Sequence, residues 1–304
     1  MAELSGRRKA TLPGPAPGPR RPAGPDSGRA LWINGSIVRG AGVTISLFDR
    51  GARDGEGIFE TLRVYRGEPL DWNRHMERLV LSAAELGFPV PPSPVRLRDA
   101  LGELLRAEAL EEAAARITVT RGVPGGRPTR TGAWIEAEPA AGRLWKGARG
   151  GEARAIFSKR PFHPGPLGRY KTTSRLAYSL AREEARAAGA DEALLCGESG
   201  EVLEGATSNL FIVAGGEVRT PPLARAILPG IVRAWVLSAC GRLGIPAREA
   251  EISREALAEA DEIFLTNSIQ EVVPLTVVAD HPVPGREVGL ALRNAYRERV
   301  TRGG

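Results

Sequence analysis

The chain has 304 residues, enough for two modest domains or one large one, and its 42% hydrophobic content supports a sizeable core. Its net charge of +6 is carried almost wholly by arginine, interspersed with glutamate and not gathered into a stripe, which argues against nucleic acid as a partner. No apolar run has membrane-spanning length, and two separated cysteines and three unclustered histidines exclude a disulfide framework or a zinc site, which fits a reducing cytoplasm.

Residues 1–28 are rich in proline, glycine and arginine and read as a disordered extension without the apolar segment of a secretory signal. Order is expected from Ala30, where alternation over Ala30–Ile33 and the pair Asn34-Gly35 predict a strand and a hairpin turn. Val43–Phe48 reads as another strand. The glycine-rich run from Asp49 to Gly57 leads into a strand carrying Ile58, Phe59, Leu62 and Val64, with a return strand after Gly67-Glu68. Met76, Leu79, Val80, Ala83 and Leu86 recur at helical spacing, so a helix is predicted from Asn73 to Leu86. A further helix is expected within Pro94–Ala114 and a strand over Arg116–Arg121. The loop after it holds Arg121, Arg127 and Arg130, whose paired N–H groups suit a carboxylate.

Glycines and prolines between Ala137 and Gly151 mark a domain boundary, giving a domain over 29–140, a linker over 141–152 and a second domain over 153–304. The second part opens with a strand, Ala153–Ser158, and a helix is predicted from Arg175 to Ala188. Strands follow over Asp191–Cys196 and within Val202–Val213, with a hairpin turn at Gly215-Gly216. Leu228-Pro229-Gly230 precedes a helix beginning near Ile231, whose exposed amides and dipole suit an anion. Glu262–Ser268 reads as a buried strand ending in hydroxyl and amide side chains.

Lysine occurs only at Lys9, Lys146, Lys159 and Lys171. Arginine keeps its proton in a protein, whereas a desolvated lysine can lose it and bond to a carbonyl. Lys9 and Lys146 lie in glycine-rich tail and linker segments. Lys171 sits in Tyr170-Lys171-Thr172-Thr173-Ser174-Arg175, just before a predicted helix whose positive end would help to lower its pKa.

Seven motifs follow one another: Asp49-Arg50-Gly51, Gly57-Ile58-Phe59-Glu60-Thr61, His75-Met76-Glu77-Arg78-Leu79, Lys171, Glu204-Gly205-Ala206-Thr207-Ser208-Asn209, Leu228-Pro229-Gly230-Ile231 and Thr266-Asn267-Ser268. In this order they resemble the class IV, or fold type IV, pyridoxal-phosphate enzymes over about Leu31 to Val300. That family holds branched-chain and D-amino-acid aminotransferases and aminodeoxychorismate lyases. Where it often has Gly-Asp-Gly, this chain has Gly55-Glu56-Gly57.

The resemblance implies an α+β or α/β fold of two domains, a smaller N-terminal α/β domain and a larger C-terminal pseudo-barrel that binds pyridoxal 5′-phosphate. It implies that Lys171 bonds the cofactor's aldehyde and moves protons, and that Glu204 faces the pyridine nitrogen. Arg78, Gly230, Ile231, Val232 and Ser268 become the phosphate cup, and Phe59, Arg127, Arg175 and Asn267 substrate contacts. A small amino substrate with a carboxylate and a homodimer are implied as partners, without a metal, nucleic acid or membrane. Arg175, Thr266-Asn267-Ser268 and the Arg121–Arg127 loop are similar to features of aminodeoxychorismate lyases, so a lyase releasing pyruvate is the preferred reading. An amino-acid transaminase is the alternative, and a catalytically silent cofactor-binding protein the remote one.

Overall fold

The computed structural model describes residues 28–40, 43–125 and 131–302. The N-terminal extension up to residue 27, Arg127 and Arg130 lie outside the described residues.

Strands from the first half of the chain form one sheet of six, ordered β2-β1-β6-β5-β3-β4. They are β1 (Ala30–Ile33), β2 (Ser36–Arg39), β3 (Gly57–Tyr65), β4 (Glu68–Pro69), β5 (Ala113–Thr120) and β6 (Ala133–Pro139). All its pairings are antiparallel. Helices α2 (Trp72–Glu85) and α3 (Pro94–Ala107) cover the sheet, with α1 (Arg50–Arg53) a single turn ahead of β3. Leu62, Val64, Leu79, Leu101, Leu104 and Ile135 are all but inaccessible in the core between these helices and the sheet. Burying such side chains stabilises by about 1.5–3 kcal/mol each.

Two readings from the sequence change here. Val43–Phe48 is not a strand: Leu47 is 83% and Phe48 68% exposed, and the chain turns so that Asp49 N–H reaches Ser46 O. The helix expected within 94–114 stops at Ala107, because Ala109 takes a positive φ of 50° and Ala113–Ala115 join β5. Alanine favours a helix by propensity, but pairing on both edges, to β3 and to β6, overrides it.

The rest of the chain builds a second sheet ordered β12-β11-β10-β13-β14-β7-β8-β9, with β15 (His281–Pro282) paired to β14. In chain order its strands are β7 (Ala153–Phe157), β8 (Glu192–Cys196), β9 (Val202–Gly205), β10 (Asn209–Ala214), β11 (Glu217–Thr220), β12 (Ala247–Glu249), β13 (Glu262–Asn267) and β14 (Glu271–Val278). Strand β9, last on this path, also contacts β10 near its middle, so the sheet curls back on itself. Between the sheets lies the proposed linker, which contains a short helix, α4 (Lys146–Gly150). Helix α5 (Leu176–Ala187) packs on β8, α6 (Ile231–Leu243) on β13, and α8 (Glu287–Thr301) on β13 and β14, with α7 (Arg254–Ala258) before β13. Phe211 and Phe264 stack with centroids 4.9 Å apart beneath α6 and α8, joining these helices to the curled sheet.

Candidate active site

Between the two sheets is a cavity of about 260 Å³. Lys171 lines it from a segment with no helix of its own. Backbone pairing fixes that segment: Phe59 N–H donates to Lys171 O at 2.8 Å, and Thr173 N–H to Gly57 O at 2.8 Å. Thr172 pairs with Ile58 in an isolated bridge, so residues 171–173 form an extra edge along the start of β3. The Lys171 Nζ is 4.8 Å from the centroid of the Phe59 ring.

Lys171 opens to the cavity but is crowded on every other side. Burial, then the guanidinium groups of Arg175 and Arg78, push its amine down to about 7, against an opposing pull from Glu60. The causes are thus desolvation and neighbouring cations; the helix end expected to act on it begins at Leu176, five residues on.

Glu204 lines the same cavity from β9 and is 3% exposed. It accepts a hydrogen bond from Leu228 N–H at 3.2 Å. Burial pushes it up to about 7, despite Leu228 N–H, Arg175 and Lys171. Such a carboxylate is poised to meet a further N–H donor.

The turn after Glu204 is shaped by Glu192 on β8. Its carboxylate accepts from Thr207 N–H at 2.9 Å, Thr207 O–H at 2.5 Å and Ser208 O–H at 3.0 Å. A Cβ on Gly205 would lie 2.2 Å from Ser208 Oγ, so only glycine passes there. The next residue, Asn209, donates to Leu228 O at 3.0 Å and braces the loop ahead of α6. A Cβ on Gly230 would fall 1.9 Å from Asn209 Oδ1, so this close approach also requires glycine.

Gly230 is the N-cap of α6 and contributes no side chain, which leaves the first amides, those of Ile231 and Val232, facing the cavity end without a capping acceptor. Thr266 Oγ1 is buried at the same wall with no hydrogen-bond partner among the described residues. Arg78 reaches this end from α2, its NH1 donating to Pro229 O at 2.8 Å and its other nitrogens to Glu60. Burial raises the Glu60 carboxyl, but Arg78 and His75 outweigh it and bring it down to about 2. Ser268 lines the cavity, its Oγ 3.3 Å from His75 Nε2.

The cavity therefore gathers Lys171, Glu204, Arg78, Gly230, Ile231, Val232 and Ser268, together with Phe59, Arg175 and Asn267. Asn267 also holds a turn: its Oδ1 accepts from Ile269 N–H at 2.9 Å and Gln270 N–H at 2.7 Å. Arg121 does not line the cavity; it donates to Leu86 O and pairs with Glu56 at 3.4 Å.

Sequence reasoning passed over Glu60 and His75 as functional residues, along with Arg116, Arg143, Tyr178 and Arg182 on the cavity wall. Tyr178 and Arg182, four apart on α5, follow its N-cap Arg175 at helical spacing, a signal available in the sequence. Arg116 carried none, since its place 3.6 Å over the Phe59 ring depends on the register of β5 against β3.

The model of the amino-transferase class IV family matches residues 57–278. A D-alanine aminotransferase of Listeria monocytogenes is 29% identical, covering 90% of this chain and 96% of its own length. A branched-chain-amino-acid aminotransferase of Salmonella typhimurium is 31% identical, covering 82% and 84%. Among solved structures, a branched-chain aminotransferase from the archaeon Thermoproteus uzoniensis with norvaline superposes with a TM-score of 0.79 at 30% identity, over 90% of this chain and 94% of that one. Another branched-chain amino acid aminotransferase, complexed with N-(5′-phosphopyridoxyl)-L-glutamate, gives 0.79 at 29% identity, over 90% of this chain and 95% of that one. The same enzyme with pyridoxamine 5′-phosphate gives 0.79 at 30% identity, with the same coverage.

Proposed function

The chain belongs to the amino-transferase class IV family, and on that premise we propose that it transfers an amino group between an α-amino acid and a 2-oxo acid. Its fold is the two-domain type IV fold, and its cofactor is pyridoxal 5′-phosphate.

The cavity's own atoms fit that cofactor. Uncapped α6 amides, Arg78 and the hydroxyl groups of Thr266 and Ser268 suit a phosphate at one end. Glu204 suits a protonated ring nitrogen, and Lys171 offers an amine that is half neutral near pH 7. The observation that carries the reading is this pair, an amine brought down and a carboxyl brought up, on one cavity wall beside a helix N-terminus.

When bound, pyridoxal phosphate supplies an aldehyde for an amine to bond and a ring that takes up the electron pair left by a departing proton. Lys171 Nζ would hold the aldehyde, and as a free amine the same nitrogen would take the proton from the substrate Cα and later return one. Glu204 would accept the N–H of a protonated ring nitrogen, and the Phe59 ring lies 4.8 Å from the Lys171 amine.

The lyase preference raised by the sequence gives way to its alternative. The relatives named above are aminotransferases, and the Gly-Gly-Arg loop that favoured a lyase includes residues outside the described ones. Arg175, a second lyase-like feature, donates to Ala206 O at 2.9 Å and lies 3.3 Å over the Tyr178 ring, and in the third, Thr266-Asn267-Ser268, Asn267 holds a turn.

Arg175 and Arg182 add cationic groups beyond those that one phosphate and one carboxylate call for, beside Arg116 and Arg143, which pair with Glu136 at 3.7 Å and Glu138 at 2.7 Å. Burial lowers the pKa of Arg175 and Arg182, a cost that a second carboxylate in the cavity offsets. The reading therefore favours a dicarboxylic donor or acceptor. It also includes a homodimer, supported by the exposed apolar Leu47 and Phe48, and a reducing cytoplasm, supported by two free, buried cysteines.

The holoenzyme can be offered each enantiomer of glutamate, D-alanine, L-leucine and aminodeoxychorismate in turn. Conversion to the pyridoxamine form is expected with an amino acid, with kcat/KM at least about tenfold higher for one glutamate enantiomer than for leucine. Release of p-aminobenzoate from aminodeoxychorismate, with no pyridoxamine form from any amino acid, would restore the lyase.

A further inference from the structure

Glu60 is 1% exposed at the centre of a network that crosses between the two halves of the fold. It lies on β3 of the first sheet. Arg78 Nε donates to its Oε1 at 2.8 Å and Arg78 NH2 to its Oε2 at 2.7 Å. His75 Nδ1 lies 2.7 Å from the same Oε2. Both partners come from one face of α2, three residues apart.

The far side of each partner reaches the second half of the chain. Arg78 NH1 donates to Pro229 O at 2.8 Å, one residue before the N-cap of α6. His75 Nε2 lies 3.3 Å from Ser268 Oγ, just after β13. Of the five N–H donors of a guanidinium, these three bonds engage three and leave two for an anion in the cavity that Arg78 lines. The bidentate contact with Glu60 fixes the guanidinium plane, and so the direction of those two. The imidazole, held at Nδ1, in turn sets the Nε2 that meets the Ser268 hydroxyl.

We infer that Glu60 is a positioning residue for phosphate recognition: one buried carboxylate aligns Arg78 directly and Ser268 through His75, on two sides of the cavity end beside α6. The inference rests on the cofactor reading above and deepens it. It assigns Glu60 no contact with substrate or cofactor. A purely architectural Glu60, tying the sheets together, is the competing role.

The two roles part on the phosphate itself. Holoenzyme is resolved and titrated back with pyridoxal 5′-phosphate and, separately, with pyridoxal, which keeps the aldehyde and ring but lacks the phosphate. Wild-type protein should prefer the phosphorylated form. In Glu60→Gln that preference should shrink by about tenfold to a hundredfold, with pyridoxal affinity unchanged and the 31P resonance of the bound cofactor shifted. Equal weakening of both ligands, or an unchanged preference, would overturn the inference. Wild-type protein with no preference would instead remove the phosphate cup on which the inference rests.

Should Glu60→Gln not fold, His75→Asn keeps a donor on the Glu60 side and loses the reach to Ser268. It should lower the preference several-fold, and adding Ser268→Ala should lower it no further. Losses that add would show that His75 and Ser268 act independently and would overturn the relay.

Discussion

Replacing Lys171 with alanine should abolish both transamination and covalent capture of the cofactor, lowering kcat by at least about 10⁴-fold while leaving the fold intact. The side chain lines a cavity, so its removal leaves no large void in a packed core. Neither Lys146 nor Lys159 lines that cavity, and arginine cannot form the bond, so among the described residues no other side chain substitutes. The visible absorbance of the holoenzyme should be lost or altered, and half-reactions followed by stopped flow should show no rapid phase. In wild-type protein, burial and two guanidiniums hold the amine near 7. The sign follows: above that value the amine is neutral and capture of the aldehyde is pH-independent. Below it the ammonium predominates, and capture slows by about tenfold per pH unit. A capture rate that stays flat down to pH 5 would contradict the depressed amine.

Glu204→Gln should leave the cofactor bound and slow the chemical step by about a hundredfold or more. Burial makes this carboxyl costly to ionise alone, and Leu228 N–H gives only one compensating bond. A cation at the ring nitrogen repays that cost, and in return the carboxylate keeps the ring able to draw electrons. Glutamine retains the shape and can still meet Leu228 N–H, but it cannot favour a positive ring nitrogen. The loss should therefore appear in kcat far more than in KM, in single turnovers of an amino-acid donor. An equal loss in thermal stability and in cofactor affinity, with kcat intact, would recast Glu204 as structural.

The residues that touch chemistry were largely legible because each needs a rare property. A lysine that loses its proton stands out in a chain with four lysines, and glycine before a helix marks an uncapped N-terminus. The fold was legible where periodicity was strong, as in α2 and the hairpin at Asn34-Gly35, whose residues take φ of 48° and 112°. It failed at Val43–Phe48, where apolar residues suggest a strand but stay exposed, and the span given to α3 ran on into Ala113 and Ala114, where sheet pairing outweighed helix propensity. Strands β6 and β14 and helix α8 were not anticipated, because short apolar runs rich in alanine, proline or charge are ambiguous until neighbours pack on them.

Among the site residues, Glu60 read as one more strand residue. Its neighbours on α2 are distant in sequence, and only the packing of α2 against β3 reveals three donors around its carboxylate. Glu192 and Asn209 were hidden for the same reason, since the turn that Glu192 holds is set by the pairing of β8 with β9, and Asn209 braces a loop nineteen residues further along the chain.

The most direct test of the account is to reduce the holoenzyme with borohydride, digest it and locate the modified peptide by mass spectrometry. A phosphopyridoxyl group on Lys171, within the segment that pairs along β3, is the predicted result. The same group on Lys146 or Lys159, or no covalent adduct from a protein that still binds the cofactor, would contradict it.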